Sequence, residues 1–156
     1  MIEPVEVTRH IAASPEVIWN LITDLKRMGD WSPENNGGSW AGGATEASVG
    51  AIFKGKNSNG WRRWRTRVDV IECEAPHRFV FRLLGGPLGS CDWVYDIKPT
   101  ENGCQVTESW IDDRKFLLTY VGGKLSGVKD RAIHNRQTME ATLEALAETA
   151  EDSPTN

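Results

Sequence analysis

Apolar and polar residues alternate with period two along most of the chain, and the period shifts towards 3.6 in two stretches. Val5, Val7, Arg9 and Ile11 alternate with Glu6, Thr8 and His10, the pattern of a half-buried strand. Ser14-Pro15-Glu16 then predicts a helix start. The hydroxyl can cap free N–H groups, and proline suits the first helical position. Val17, Ile18, Leu21, Ile22 and Leu25 give this helix an apolar stripe, and a shorter helical piece over 26–31 ends before Ser32-Pro33. Glycines and asparagines then mark turns around a short strand at 39–41 and longer ones at 51–56, 61–73, 78–84, 90–98 and 104–111. From about residue 122 to 150 the spacing is helical, with a stripe of Leu125, Val128, Ala132, Asn135, Met139, Leu143 and Leu146.

This order predicts an α+β chain. Hairpin-connected strands form a curved antiparallel sheet whose apolar face must be covered, and only the last helix is long enough to do so. The expected architecture is a helix-grip fold: a sheet wrapped around a long C-terminal helix with an internal cavity. Residues 1–150 are read as one domain and 151–156 as a flexible tail.

Side-chain parity says which residues look inward. Trp64, Thr66, Val68 and Val70 share one face; Phe79, Phe81 and Leu83 share another; so do Cys91, Trp93, Tyr95 and Ile97, and Val106, Glu108 and Trp110. A tight turn at Glu101-Asn102 that pairs Pro99 with Cys104 sets Ile97 opposite Val106, Tyr95 opposite Glu108 and Trp93 opposite Trp110. The inner face then carries indoles, one phenol and one acid, facing one amide on the helix, which is the composition of a small-molecule pocket.

Composition refines the picture. Seven tryptophans against two tyrosines and four phenylalanines place wide indole surfaces in a core or around a ligand. A net charge of −4 disfavours nucleic acid, and Arg62, Arg63, Arg65 and Arg67 are expected on an outer face mixed with Asp69, Glu72, Asp92 and Asp96. Cys73, Cys91 and Cys104 form no metal-ligand spacing, and His10, His77 and His134 fall on separate elements. No metal or cofactor is expected. Without a secretory pattern or an apolar run of bilayer length, the protein is expected to be cytoplasmic, with no stable membrane insertion, as a monomer or weak homodimer.

Several segments carry a family resemblance: Trp31-Ser32-Pro33-Glu34, the run 49–57, Trp64 before Val68, and the run 74–79. Val106-Thr107-Glu108-Ser109-Trp110 and Asp130-Arg131 with Asn135, Met139, Thr142 and Leu143 continue it. Together they resemble the polyketide cyclase/dehydrase-like branch of the START-like (SRPBCC) superfamily. The resemblance implies a cavity for a hydrophobic ligand between sheet and helix.

The first functional reading is binding, for transport or sequestration, of a small hydrophobic ligand such as a lipid, polyketide or aromatic metabolite. Its expected contacts are Trp31, Trp40, Trp64, Phe81, Trp93, Tyr95, Glu108, Trp110, Tyr120, Asn135 and Met139. The alternative is a cyclase/dehydratase-type enzyme in which Glu108, its pKa raised among aromatics, is the general acid/base and Tyr95 assists. A third reading is an interaction module that uses the outer sheet or the 116–123 region. That region, apolar and glycine-flanked, is expected either to cover a cavity mouth or to pack on the core.

Overall fold

The computed structural model describes residues 3–84 and 86–152. The Ser14 hydroxyl accepts the Val17 N–H at 3.4 Å, which starts α1 (Pro15–Thr23) after β1 (Val5–Ile11). A 3-10 turn at Met28–Asp30 leads into β2 (Asn35–Ala41). Five more strands follow: β3 (Ile52–Asn59), β4 (Arg62–Glu74), β5 (Arg78–Leu84), β6 (Ser90–Thr100) and β7 (Gly103–Asp112). Two helices close the chain, α2 (Phe116–Ser126) and α3 (Arg131–Glu151). No described helix is long and apolar enough to cross a membrane.

The strands form one sheet in the order β1-β7-β6-β5-β4-β3-β2, and neighbouring strands run antiparallel. Consecutive hairpins account for the path from β2 to β7, while α1 and the 3-10 turn carry the chain from one sheet edge to the other. The expected β6–β7 register is the observed one: Pro99 pairs with Cys104, Ile97 with Val106, Tyr95 with Glu108 and Trp93 with Trp110. The expected parity along β4 holds only to Val70. A bulge between Val70 and Glu72 shifts the register, so that Cys73 rather than Glu72 lies opposite Phe79.

Charges on the convex face of the central strands pair across strands. Arg78 reaches Glu72 at 2.7 Å and Asp96 at 2.8 Å, and Arg82 reaches Asp92 at 2.6 Å. Val80 and Val94 are buried on that same face, directly opposite one another between the two arginine–aspartate pairs. The arginine stems on either side are long enough to cover them.

The expected single helix from about 122 to 150 is two. Gly127 takes the left-handed conformation at φ 75°, its N–H bonding to the Gly123 carbonyl at 2.8 Å to close α2. Asp130 then opens α3 by accepting the Ile133 N–H at 3.1 Å. Leu125 therefore leaves the expected core stripe and lies on α2, more than half exposed. The α3 helix also runs through Glu151, whose carboxylate accepts the Ala12 N–H at 3.0 Å, so this residue belongs to the helix and not to the expected tail. Residues 153–156 of that tail lie outside the described residues.

The C-terminal half of α3 seals the core. Leu143, Leu146, Ala147 and Ala150 pack with Ile11, Ile18, Ile22, Phe79, Ile97 and Val106 in one buried cluster. A fully buried leucine of this kind stabilises the fold by ~1.5–3 kcal/mol through burial. Leu143→Ala is expected to cost about 2–5 kcal/mol because it leaves a cavity as well. Leu125→Ala should change stability by less than about 0.5 kcal/mol. Urea denaturation of both variants measures the difference.

Candidate functional site

At the other end of α3 the packing stops short of the sheet. A cavity of about 980 Å³ lies there, walled by the inner faces of the central strands, the N-terminal turns of α3, and α2 across one end. That volume sits near the upper end of the range of small-molecule pockets, roughly 300–1,000 Å³. Its aromatic wall follows from strand register. Phe81 lies opposite Trp93 and Trp93 opposite Trp110, so three neighbouring strands each place a large ring on one level. The Trp93 and Trp110 rings are 6.5 Å apart, as are those of Phe81 and Tyr95.

Within this wall stands Glu108, buried beside Tyr95. The Tyr95 hydroxyl donates to Glu108 Oε1 at 2.9 Å, whereas Oε2 is buried with no hydrogen-bond partner among the described residues. Burial pushes the Glu108 carboxyl from the usual carboxylate range up to about 8, only partly opposed by the Tyr95 hydrogen bond. Burial, with Glu108 beside it, also holds the Tyr95 phenol well above its ordinary value. Near neutral pH both groups keep their protons. Such a pair can donate to, or exchange a proton with, a molecule in the cavity.

Of the residues expected to contact a ligand, Trp64, Phe81, Trp93 and Tyr95 line the cavity from β4, β5 and β6. Glu108 and Trp110 line it from β7, Tyr120 from α2 and Asn135 from α3. Trp31, Trp40 and Met139 do not. Trp31 is buried beside Leu25 and Met28, which form the wall in its place, with the Arg27 guanidinium 5.6 Å from its ring. Trp40 sits on the edge strand and packs edge-on against Phe53 with ring centroids 5.1 Å apart, so Phe53 takes the lining position. Met139 is buried in a cluster with Val5, Cys91 and Trp110, one helical turn past Asn135.

Two wall groups were not expected from the sequence. Arg114 donates to both oxygens of Asp112, at 2.7 and 2.9 Å, and its guanidinium lies 5.8 Å from the Trp110 ring. The inward parity of Glu108 and Trp110, carried one step further, places Asp112 inside, and an interior carboxylate calls for a cation. On the flank, Arg131 Nη1 reaches Glu34 Oε2 at 3.0 Å and His134 Nε2 lies 2.9 Å from Glu34 Oε1. Arg131 also donates to the Ser126 hydroxyl. Glu34 therefore ties the segment after the 3-10 turn to the start of α3. No periodicity signals that contact, because its partners lie about a hundred residues apart.

At one side of the cavity α2 meets the β3–β4 hairpin. Asn59 donates its amide N–H to the Ser126 carbonyl at 3.0 Å, and Arg62 packs between the Trp61 ring and Gly127. The 116–123 region forms most of α2, with Phe116, Leu117, Tyr120 and Val121 more than half exposed, so it is not packed firmly on the core. Phe116, Tyr120 and Leu125 also line the cavity.

The neutral carboxyl makes a stability prediction. Between about pH 4.3 and the folded-state value, the unfolded chain gives up the Glu108 proton while the fold keeps it. Stability then falls with rising pH across that window, by up to ~1.4 kcal/mol per unit, and flattens above about 8. Glu108→Gln keeps the acceptor for Tyr95 and removes the titration. Urea denaturation should find this variant more stable than wild type by a few kcal/mol at about pH 8, with the advantage gone near pH 4.

The whole arrangement has counterparts. The family described as polyketide cyclase / dehydrase and lipid transport matches residues 4–151. A polyketide-cyclase-like protein from Corynebacterium glutamicum is 28% identical, with a TM-score of 0.66 over 97% of this chain and 94% of that one. A protein from Chromobacterium violaceum, 14% identical, superposes with a TM-score of 0.70 over 97% of this chain and 100% of its own. The di-domain ARO/CYC StfQ of the steffimycin biosynthetic pathway, 13% identical, reaches 0.72 over 96% of this chain and 50% of its own. The last two likenesses are of fold alone. No curated protein matches the sequence. Matched over nearly its whole length, the chain belongs to the polyketide cyclase/dehydrase and lipid transport family.

Proposed function

We propose that the protein binds a small, largely apolar, ring-bearing molecule in the cavity between sheet and α3. The observation that carries this reading is the unfilled space itself. About 980 Å³ remains beside a core that is otherwise closed, and its wall is faced by Phe81, Trp93 and Trp110. An apolar ring entering there would exchange water contact for aromatic faces, a gain of about 25 cal/mol per Å² of apolar surface buried. The exposed apolar side of α2 beside the cavity suits a segment that ligand must pass.

A second reading has one specific observation behind it: a carboxyl near half-ionisation at about pH 8, hydrogen-bonded to a phenol inside the cavity. In its neutral form Glu108 could protonate a departing hydroxyl in a dehydration. As carboxylate it could take a proton from carbon next to a ketone, the first step of an aldol-type cyclisation. The likeness to StfQ, an ARO/CYC of a biosynthetic pathway, gives this reading context without assigning a substrate.

Native mass spectrometry of protein isolated from its own cells should detect a stoichiometric apolar adduct that organic extraction releases. Re-addition of that compound should quench tryptophan fluorescence, and Trp93→Ala should weaken its binding about tenfold or more. If the protein carries no adduct and no apolar ring compound perturbs its indoles, the binding reading is wrong. If a turned-over substrate is found and Glu108→Gln converts it at the wild-type rate, the catalytic reading is wrong.

A further inference from the structure

The polar chemistry of the cavity wall constrains what the buried end of a ligand must be. Glu108 Oε1 already accepts the hydrogen of Tyr95, while Oε2 is buried with no partner among the described residues. An acid whose one oxygen accepts from a phenol carries its own proton most readily on the other oxygen. The free atom is then a donor without an acceptor, and an unmade hydrogen bond of a buried group costs ~1–3 kcal/mol. Asn135, buried on α3, lines the same cavity.

Two arginines of the cavity wall are committed elsewhere. Arg114 is bound at two points by Asp112, and Arg131 is bound by Glu34. Arg62, also on the wall, lies 4.6 Å from the Trp61 ring. The inner faces of the elements around Glu108 bring few other titratable groups. They are Tyr95 and Cys91 on β6, Asp112 on β7 with Arg114 just beyond it, and Arg9 on β1, which pairs with Glu144 of α3 at 3.6 Å. The Cys91 thiol, pushed by burial up to about 11, stays neutral.

We propose that the cavity selects a ligand whose buried end carries an uncharged oxygen acceptor, a ketone or quinone carbonyl, held by a hydrogen bond from Glu108 Oε2. This rests on the cavity-binding reading above and adds a ligand class to it. A carboxylate or phosphate at that end is disfavoured, because it would meet an acid while Arg114 and Arg131 are already held by Asp112 and Glu34. A plain hydrocarbon fits the walls but leaves Glu108 Oε2 without a partner. Binding is also linked to protonation. Only the neutral acid donates, so affinity holds below the Glu108 pKa of about 8 and falls as pH rises through it.

The test compares 9-fluorenone with fluorene, two flat molecules of nearly the same shape that differ by a carbonyl in place of a methylene. Quenching of tryptophan fluorescence reads the affinity of each. Wild-type protein at about pH 6.5 is expected to bind fluorenone about tenfold or more tightly than fluorene. Raising the pH to about 9.5 should weaken fluorenone about tenfold or more and leave fluorene unchanged. Glu108→Gln, whose amide still donates, should keep the preference and lose its pH dependence, while Glu108→Leu should lose the preference. Circular dichroism checks that each variant is folded; if Glu108→Leu is not, the wild-type pH profile and Glu108→Gln decide. Equal binding of the two probes, or a ketone preference in folded Glu108→Leu, would overturn the proposal and leave the cavity reading standing. If neither probe reaches the indoles, both are overturned.

Discussion

The two-residue turn at Glu101-Asn102 governs what the cavity contains. Thr100 pairs with Gly103 across it, and from that pair the β6–β7 ladder runs in register to Cys91 opposite Asp112. Side chains alternate between faces, so a slip of one residue would turn Tyr95, Glu108, Trp93 and Trp110 outward together. Gly103 secures the turn by a conformation that L side chains rarely adopt, φ 138°, with the Ile11 carbonyl so close that no Cβ could be accommodated. One turn thereby sets the aromatic wall, the buried acid and the phenol that binds it.

The long helix divides its work along its length. Its C-terminal turns bury Leu143, Leu146 and Ala150 against α1 and the sheet and carry the cost of ordering the chain. Its N-terminal turns present Asn135 to open space and are held off the sheet by side-chain contacts, chiefly the Glu34 bridge to Arg131 and His134. Space for a ligand is affordable because the opposite end is packed so fully. The α2 helix, separated from α3 by the left-handed Gly127, leaves apolar residues in solvent beside the cavity.

Much of this was legible from residue order alone. Period-two parity and a tight turn were enough to place Trp93, Tyr95, Glu108 and Trp110 inside and in their correct pairs. Parity says which way a side chain faces but not how far it stands from empty space. Trp31, Trp40 and Met139 are therefore interior or half-buried yet lie behind Met28, Phe53 and Trp110. The helix break was written in Ser126-Gly127 and Asp130, a C-terminal stop followed by an N-cap, but a stripe continuing through Leu125 and Val128 concealed it. The β4 bulge and the burial of Val80 and Val94 on the convex face depend on neighbouring strands, which no local pattern contains.

The central claim is that a neutral carboxyl stands in the wall of an apolar cavity, and infrared spectroscopy reads that state directly. The carboxylic-acid carbonyl stretch that Glu108→Gln abolishes would be followed in the wild-type protein as pH is raised. The account predicts that the band persists through neutrality and disappears with a midpoint near 8. A midpoint in the ordinary glutamate range, about 4 to 5, would mean that water or a cation reaches Glu108, and would contradict it.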